Sequence, residues 1–187
     1  MKLEIEKAVE VLKSGGVIVY PTETLYGLGA DVFNEAAVKK IYELKGRDFN
    51  KPLSIAVLKE EVGKYAEVNE KAQELIDKYL PGPLTLVLKK KEIVPAWVTD
   101  TEYVGIRVPD EESVLEIIRQ VGPIASTSAN LSGGEEPVKV EQIPQSILDG
   151  VDLVIDGGTT KENGPSTVVK VENGVEVLRR GVLKLCE

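Results

Sequence analysis

Residues 15–29 read Gly-Gly-Val-Ile-Val-Tyr-Pro-Thr-Glu-Thr-Leu-Tyr-Gly-Leu-Gly, and this stretch carries three signals in succession. Its two glycines end an amphipathic helix whose apolar residues recur at helical spacing from Ile5 to Leu12. The apolar run at residues 17–20 then predicts a buried strand, and residues 21–29 predict a polar loop at the end of that strand. A helix, a strand and a polar strand-end loop in this order are typical of α/β proteins.

The same alternation continues outward from this stretch. Asn34 and Asn69 are placed to cap two further helices, and a Pro-Gly-Pro sequence at residues 81–83 ends the second of them. Other apolar runs predict strands at residues 53–58, 84–88, 104–108, 124–127, 153–155, 167–171 and 175–178, and helices beginning at Glu111 and near Gln142. Asn173-Gly174 predicts a hairpin. The sequence therefore predicts an α/β fold with a mostly mixed sheet covered by helices, in a single domain over residues 1–187.

Composition excludes several classes of protein. The chain has 187 residues, 42% of them hydrophobic, with a net charge of −8 and no histidine. The acidic balance argues against a surface that binds nucleic acid throughout, because such binding needs lysines and arginines that displace counterions. Without histidine, neither Ser-His-Asp chemistry nor a histidine-ligated metal is available.

The N-terminus and the cysteine content bear on the cellular compartment. The first residues alternate charged and apolar side chains, whereas a secretory signal needs an uninterrupted apolar centre. The one cysteine, Cys186, rules out an internal disulfide framework. No apolar run is long enough to span a membrane, so we expect a cytoplasmic protein.

Three polar clusters are candidates for chemistry. The first is the loop containing Thr22, Glu23 and Thr24, which either binds a ligand or is a structured turn in which the threonines bond to the backbone. The second contains Lys45, Arg47 and Lys51, which could hold phosphates; alternatively, Lys45 complements a helix dipole and Arg47 pairs with Asp48. The third, residues 126–134, is dense in hydroxyls and either reads a small polar ligand or forms a capped turn.

Two arginines complete the candidates. Arg107 lies within an apolar strand, so it either pairs with a protein carboxylate or meets an anionic ligand in a polar cavity. Arg179 follows the last predicted strand. Phosphate-loop, dinucleotide-fingerprint and nucleophile-elbow motifs are absent, which excludes the most familiar nucleotide folds.

Taken in order, these segments resemble the YrdC-like family of L-threonylcarbamoyladenylate synthases. The likeness covers nearly the whole chain and rests on several motifs. They are a P-T-E-T-x-Y-G-L loop at residues 21–28, a K-x-R at Lys45 and Arg47, a basic position before proline at Lys51, a G-x-R-x-P at Gly105, Arg107 and Pro109, an S-x-N at Ser128 and Asn130, an S-T-V at residues 166–168, and an L-R-x-G at Leu178, Arg179 and Gly181.

The resemblance implies an open twisted sheet around a large basic cavity and a synthase that uses ATP with Mg²⁺, L-threonine and bicarbonate. It implies ATP binding by Lys45, Arg47, Lys51, Ser128, Asn130 and Arg179. It implies threonine binding by Thr22, Thr24, Arg107 and Ser166. It does not imply a catalytic side chain or a protein-held metal. The partner it implies is a threonylcarbamoyl-transferase complex acting on tRNA, and whether this chain touches tRNA directly stays open.

Two features depart from the family pattern. Where many relatives read S-G-x-P-S, this chain has two glutamates between Ser132 and Pro137, so the contacts of this loop stay open. The extra C-terminal domain of longer relatives is also missing from this sequence.

Two other functions share the fold. One is a non-catalytic RNA-binding module, which an aromatic content of 5% disfavours because few bases could stack. The other is the carbamoyl-transfer domain of hydrogenase-maturation proteins, whose accompanying segments are missing here.

Overall fold

Within residues 2–185, which a computed structural model describes, nine strands form one sheet. The side chain of Lys2 and the whole of Cys186 lie outside the description. The strands are β1 (Ile18–Pro21), β2 (Tyr26–Asp31), β3 (Ser54–Ala56), β4 (Leu84–Lys89), β5 (Tyr103–Arg107), β6 (Ile124–Ser128), β7 (Leu153–Val154), β8 (Thr167–Val171) and β9 (Val175–Arg179). The helices are α1 (Lys2–Lys13), α2 (Glu35–Lys45), α3 (Val62–Tyr65), α4 (Glu70–Tyr79), α5 (Glu112–Val121) and α6 (Gln145–Leu148), with 3₁₀ turns at Lys59–Glu61 and Val140–Gln142.

The sheet mixes both strand directions and is open. Its order is β7-β1-β2-β6-β3-β5-β4-β8-β9. The pairs β1–β7, β3–β5 and β4–β8 are parallel, and the other neighbours are antiparallel. The predicted α/β class with a mixed sheet is therefore confirmed.

The two predicted caps form as expected. The side-chain oxygen of Asn34 accepts the amide of Ala37 at 3.0 Å, and that of Asn69 accepts the amide of Ala72 at 2.9 Å. Each bond satisfies an amide that has no partner inside its own helix. At the other end of α2, Gly46 adopts the left-handed conformation, which turns the chain sharply after Lys45.

The two faces of the sheet are covered unequally, and this difference creates the site. One face is buried by α2, α3, α4 and α6, in the larger apolar cluster. On the other face, α1 and α5 pack over Ile18, Tyr20, Ala56 and Ile124 in a smaller cluster. The helices leave the neighbouring part of this second face free for a polar cleft.

The prediction that residues 21–29 form only a loop was wrong. The turn ends at Leu25, and Tyr26–Asp31 form β2, which pairs with both β1 and β6. Gly27 and Gly29 give this segment a poor strand propensity. They are required because the ring of Tyr20 lies against them, with its hydroxyl 2.5 Å from the Ser126 hydroxyl.

This packing makes Gly29→Ala destabilising. A Cβ at Gly29 would lie 2.7 Å from Cε1 of Tyr20, whose ring is buried on both sides. We expect the free energy of unfolding to fall by about 1–3 kcal/mol, the usual cost of overpacking. Urea unfolding measures this, with Gly63→Ala as the matched control because a Cβ there meets nothing within 4 Å. Equal stability of the two variants would contradict the prediction.

Among residues 2–185, no helix has the length and apolar character needed to cross a membrane.

Candidate active site

A polar cleft of about 230 Å³ lies on the free part of the second sheet face. Its floor is a row of small residues that face one another across adjacent strands. Ser126 of β6 is opposite Ser54 of β3, and Ser54 is opposite Gly105 of β5. Because none of these side chains is large, the sheet itself leaves room for a ligand.

The β1–β2 turn forms one wall of the cleft. The Thr22 hydroxyl donates to the carbonyl of Leu25 at 2.7 Å and lies 3.0 Å from the Thr24 hydroxyl. It also accepts the amides of Thr24 and Leu25, each at 3.2 Å. The structured-turn alternative is therefore confirmed. Because Thr22 and Thr24 also line the cleft, ligand binding by this segment stays a prediction.

Arg107 enters the cleft from the end of β5 and is held by a buried ion pair. Its Nη2 donates to Glu23 Oε1 at 2.7 Å and to the Thr24 hydroxyl at 2.9 Å. Burial raises the pKa of Glu23 and lowers that of Arg107, and the attraction between the two opposes both shifts. The amide of Asp110 also donates to Glu23, which favours the ionised carboxylate.

One nitrogen of Arg107 has no protein partner. Nη1 is buried and makes no hydrogen bond within the described part of the chain. A buried guanidinium nitrogen without an acceptor is costly, so an acceptor oxygen from a ligand in the cleft would complete it. The alternative that Arg107 pairs with a protein carboxylate is therefore confirmed. Because Arg107 also lines a polar cleft, an anionic ligand there stays a prediction.

Lys45 is buried beneath the cleft and does not line it. Its ammonium group donates to the carbonyls of Ser128 and Asn130, the latter at 2.7 Å, and to Oδ1 of Asn130 at 3.1 Å. The Ser128 hydroxyl donates to the same Oδ1 at 2.6 Å. Lys45 therefore fixes the Ser128–Asn130 turn, and of these three residues Ser128 alone reaches the cleft wall.

The burial of Lys45 predicts a pH-dependent stability. Burial and the neighbouring Arg47 lower the pKa of Lys45 from 10.5 to about 8. Between these values the unfolded chain binds more protons than the folded protein, so the free energy of unfolding should rise with pH from about 8. The slope can reach at most about 1.4 kcal/mol per pH unit. Urea unfolding at pH values up to 9.5 measures this slope, which should disappear in Lys45→Met. A slope that is unchanged in that variant would mean that another group causes the pH dependence.

Arg47 lies on the cleft wall and Lys51 does not. Arg47 donates from Nε to the carbonyl of Lys51 at 3.1 Å and from Nη2 to that of Pro52 at 3.0 Å. These bonds orient the guanidinium and leave its Nη1 without a hydrogen bond to any described residue. The Lys51 side chain is exposed and outside the cleft lining. The alternative that Arg47 pairs with Asp48 was wrong.

Arg179 and Ser166 close the far side. Arg179 donates to the Ser166 carbonyl at 2.9 Å and to its hydroxyl at 3.2 Å. That hydroxyl also lies 2.8 Å from the Thr85 hydroxyl, which faces Arg107 across β4 and β5. The structure thus places Thr22, Thr24, Arg47, Arg107, Ser128, Ser166 and Arg179 around one cleft, with Lys45, Lys51 and Asn130 outside its lining.

Sequence reasoning missed several groups in the cleft. Ser54 and Thr85 are single hydroxyls within apolar strands, and their position becomes visible only once the strand order is known. Glu136 was present in the sequence as an acidic residue in a glycine-rich loop. The large basic cavity stays a prediction, since this cleft combines three arginines with a glutamate and many hydroxyls.

No group of three or more histidine, cysteine, aspartate or glutamate side chains is placed to hold a metal ion within residues 2–185. Mg²⁺ commonly binds through substrate phosphates and one or two carboxylates. Among the described residues the cleft lining offers one carboxylate, Glu136, so a Mg²⁺ ion bound here would need further ligands from the phosphates of a substrate.

Comparison with known proteins assigns the chain and its fold to a family. Residues 10–181 match the model of the Sua5/YciO/YrdC family, whose description reads telomere recombination. The chain belongs to the Sua5/YciO/YrdC family. A relative from Methanocaldococcus jannaschii, provisionally named a threonylcarbamoyl-AMP synthase, is 46% identical over 97% of this chain and 89% of its own length.

Two longer relatives of the family match over about half of their length. Threonylcarbamoyl-AMP synthase of Bacillus subtilis is 40% identical over 95% of this chain and 53% of its own. The structure of Pyrococcus abyssi Sua5 complexed with L-threonine has a TM-score of 0.92 and 38% identity, covering 97% of this chain and 55% of that one. The open mixed sheet is therefore the fold of this family.

Proposed function

We propose that this protein is a threonylcarbamoyl-AMP synthase, an adenylate-forming nucleotidyltransferase. L-threonine, bicarbonate and ATP would give threonylcarbamoyl-AMP, pyrophosphate and water. The observation that carries this proposal is Arg107, which lines a hydroxyl-rich cleft and keeps one buried nitrogen, Nη1, without a protein partner. Such a group needs an anionic oxygen, and the threonine carboxylate supplies one.

The threonine side of the cleft would be formed by Thr22, Thr24, Arg107 and Ser166. Arg107 would bind the carboxylate through its guanidinium, which Glu23 and the Thr24 hydroxyl hold in place at Nη2. The neutral hydroxyls can donate to or accept from the ammonium and hydroxyl groups of threonine. The naming of the Pyrococcus abyssi structure as a complex with L-threonine supports this assignment.

The nucleotide side would be formed by Arg47, Ser128 and Arg179. The two arginines provide forked donors for phosphate oxygens, and Ser128 adds a hydroxyl. Lys45 and Asn130 then act as positioning residues that fix the Ser128 turn, and Lys51 lies outside the lining. Mg²⁺ would enter on the phosphates of ATP and offset part of their charge.

The chemistry requires no nucleophile or histidine from the protein. The neutral threonine amine adds to carbon dioxide and releases a proton to solvent, or adds to bicarbonate with loss of water. An oxygen of the resulting carbamate then attacks the α-phosphorus of ATP. The bond from that phosphorus to the bridging oxygen breaks, and pyrophosphate leaves with the electron pair. Arg47 and Arg179 orient the phosphates and stabilise the charge that develops on them.

Pyrophosphate release is the deciding assay. It is run with MgATP and bicarbonate, with and without L-threonine, and with L-serine as the control amino acid. We expect release that requires both threonine and bicarbonate. Folded protein that binds ATP but releases no pyrophosphate would overturn the enzymatic proposal and favour the RNA-binding alternative.

We also propose that the protein acts in the cytoplasm and passes its product to a threonylcarbamoyl-transferase complex that acts on tRNA. The product is a mixed anhydride of a carbamate and a phosphate, which water cleaves readily. A consuming step close to the site of synthesis would limit that loss. Product transfer in a mixture with and without the transferase complex tests the proposal.

A further inference from the structure

Glu136 is the one carboxylate among the described residues that line the cleft. Its Oε1 lies 3.5 Å from Nη1 of Arg179, and both side chains are partly exposed. Its charge also acts on Lys45, whose pKa it raises against the effect of burial. An acidic side chain therefore lies close to the basic side chains at this end of the cleft.

The backbone around Glu136 is anchored on both sides but not at the residue itself. On one side the Asn130 amide donates to the carbonyl of Gly134 at 2.8 Å, and on the other the amide of Tyr26 donates to the carbonyl of Pro137 at 2.9 Å. Glu135 and Glu136 make no backbone hydrogen bond to any described residue. The Glu136 side chain can therefore leave Arg179 while both anchors stay in place.

We propose that Glu136 occupies a phosphate position on Arg179 and is displaced when ATP binds. This inference rests on the proposed function, in which Arg179 is a phosphate ligand. A partly exposed pair at 3.5 Å is weak, so a ligand with several negative charges can replace it. A carboxylate left in the cleft would repel the phosphates, and the repulsion grows with ligand charge.

The exchange has a consequence for ligand choice. A triphosphate offers more charge than Glu136 does and displaces it readily, whereas a monophosphate competes with it less well. After pyrophosphate leaves, Glu136 can pair with Arg179 again. Glu136 therefore lowers the affinity of the cleft for ATP more than its affinity for AMP.

Titration calorimetry of Glu136→Gln with MgATP and with AMP tests the exchange. Glutamine keeps the shape of the side chain and removes its charge. We expect ATP to bind about five- to tenfold more tightly than to the wild type at low salt, with a smaller gain for AMP. Glu135→Gln is the matched control, because it removes the same charge from an exposed neighbour outside the cleft lining; its affinity should match the wild type.

The remaining outcomes of this experiment contradict either the exchange or the proposed function. Weaker ATP binding by Glu136→Gln would mean that Glu136 holds the nucleotide or its metal. An unchanged ATP affinity in Glu136→Gln, or an equal change in Glu135→Gln, would mean that Glu136 does not compete with phosphates for Arg179. Either result overturns the exchange. Inorganic tripolyphosphate is the second probe, because it needs only the phosphate cations. If ATP fails to bind any variant but Glu136→Gln gains affinity for tripolyphosphate, the exchange stands and the proposed function fails. If no variant binds either probe, the exchange is wrong.

Discussion

Arg107→Met is expected to lower the free energy of unfolding by about 3–5 kcal/mol and to abolish pyrophosphate release. The stability loss follows from Glu23, whose side chain is 2% exposed and would lose the cation that compensates its charge. Removing one member of a buried ion pair costs more than removing both. The activity loss follows from the missing carboxylate ligand. Urea unfolding and the pyrophosphate assay measure the two effects separately.

A double variant separates the two roles of Arg107. In Glu23→Gln/Arg107→Met neither charge of this buried pair remains, so we expect most of the lost stability to return while activity stays absent. Arg119→Met is the matched control, because Arg119 pairs with Glu112 at 2.6 Å on the surface. Surface pairs of this kind contribute about 0–1 kcal/mol. A double variant as unstable as Arg107→Met would show that Glu23 is not the cause, and an active one would show that Arg107 does not bind threonine.

Most of the secondary structure follows from local signals in the sequence. Asn34 and Asn69 cap their helices as predicted, because the first backbone amides of a helix have no partner inside it and the side-chain oxygen of the preceding asparagine can accept one of them. β2 was missed for the opposite reason. Gly27 and Gly29 suit the strand only because Tyr20, which belongs to a neighbouring strand, fills the space above them. No local pattern carries that information.

The candidate site was predictable in its parts and less so in its arrangement. Residues that follow strands, such as Thr24 and Ser128, stand out because polar groups end an apolar run. Lys45 did not reveal its role, since an exposed cation at a helix end and a buried ammonium under a turn look alike in sequence. Ser54 and Thr85 reach the cleft through cross-strand neighbours, so their place depends on the strand order. That order is set by long-range packing.

Arg47→Ala is expected to weaken ATP binding or reduce kcat/KM by at least tenfold. The guanidinium is oriented by the carbonyls of Lys51 and Pro52, which leaves Nη1 for a phosphate oxygen. Hydrogen bonds between charged groups contribute about 1.5–3 kcal/mol, or about ten- to a hundredfold. Because both carbonyls belong to exposed residues, water can replace the lost hydrogen bonds. We therefore expect the free energy of unfolding to fall by no more than about 1 kcal/mol. Calorimetry with MgATP and urea unfolding test the two statements.

Two further variants show whether position or charge is responsible. Arg47→Lys keeps the charge but loses the fork that bonds to both carbonyls, so the ammonium is no longer oriented and binding should recover only in part. Arg180→Ala removes the same side chain from an exposed position outside the cleft lining and should bind ATP as the wild type does. Full recovery in Arg47→Lys would reduce the role of Arg47 to its charge. Equal losses of ATP affinity in Arg47→Ala and Arg180→Ala would mean that only the net charge of the protein matters. A fall of several kcal/mol in the free energy of unfolding of Arg47→Ala would instead identify Arg47 as a structural residue. Its two hydrogen bonds to backbone carbonyls would then hold the loop before β3 in place.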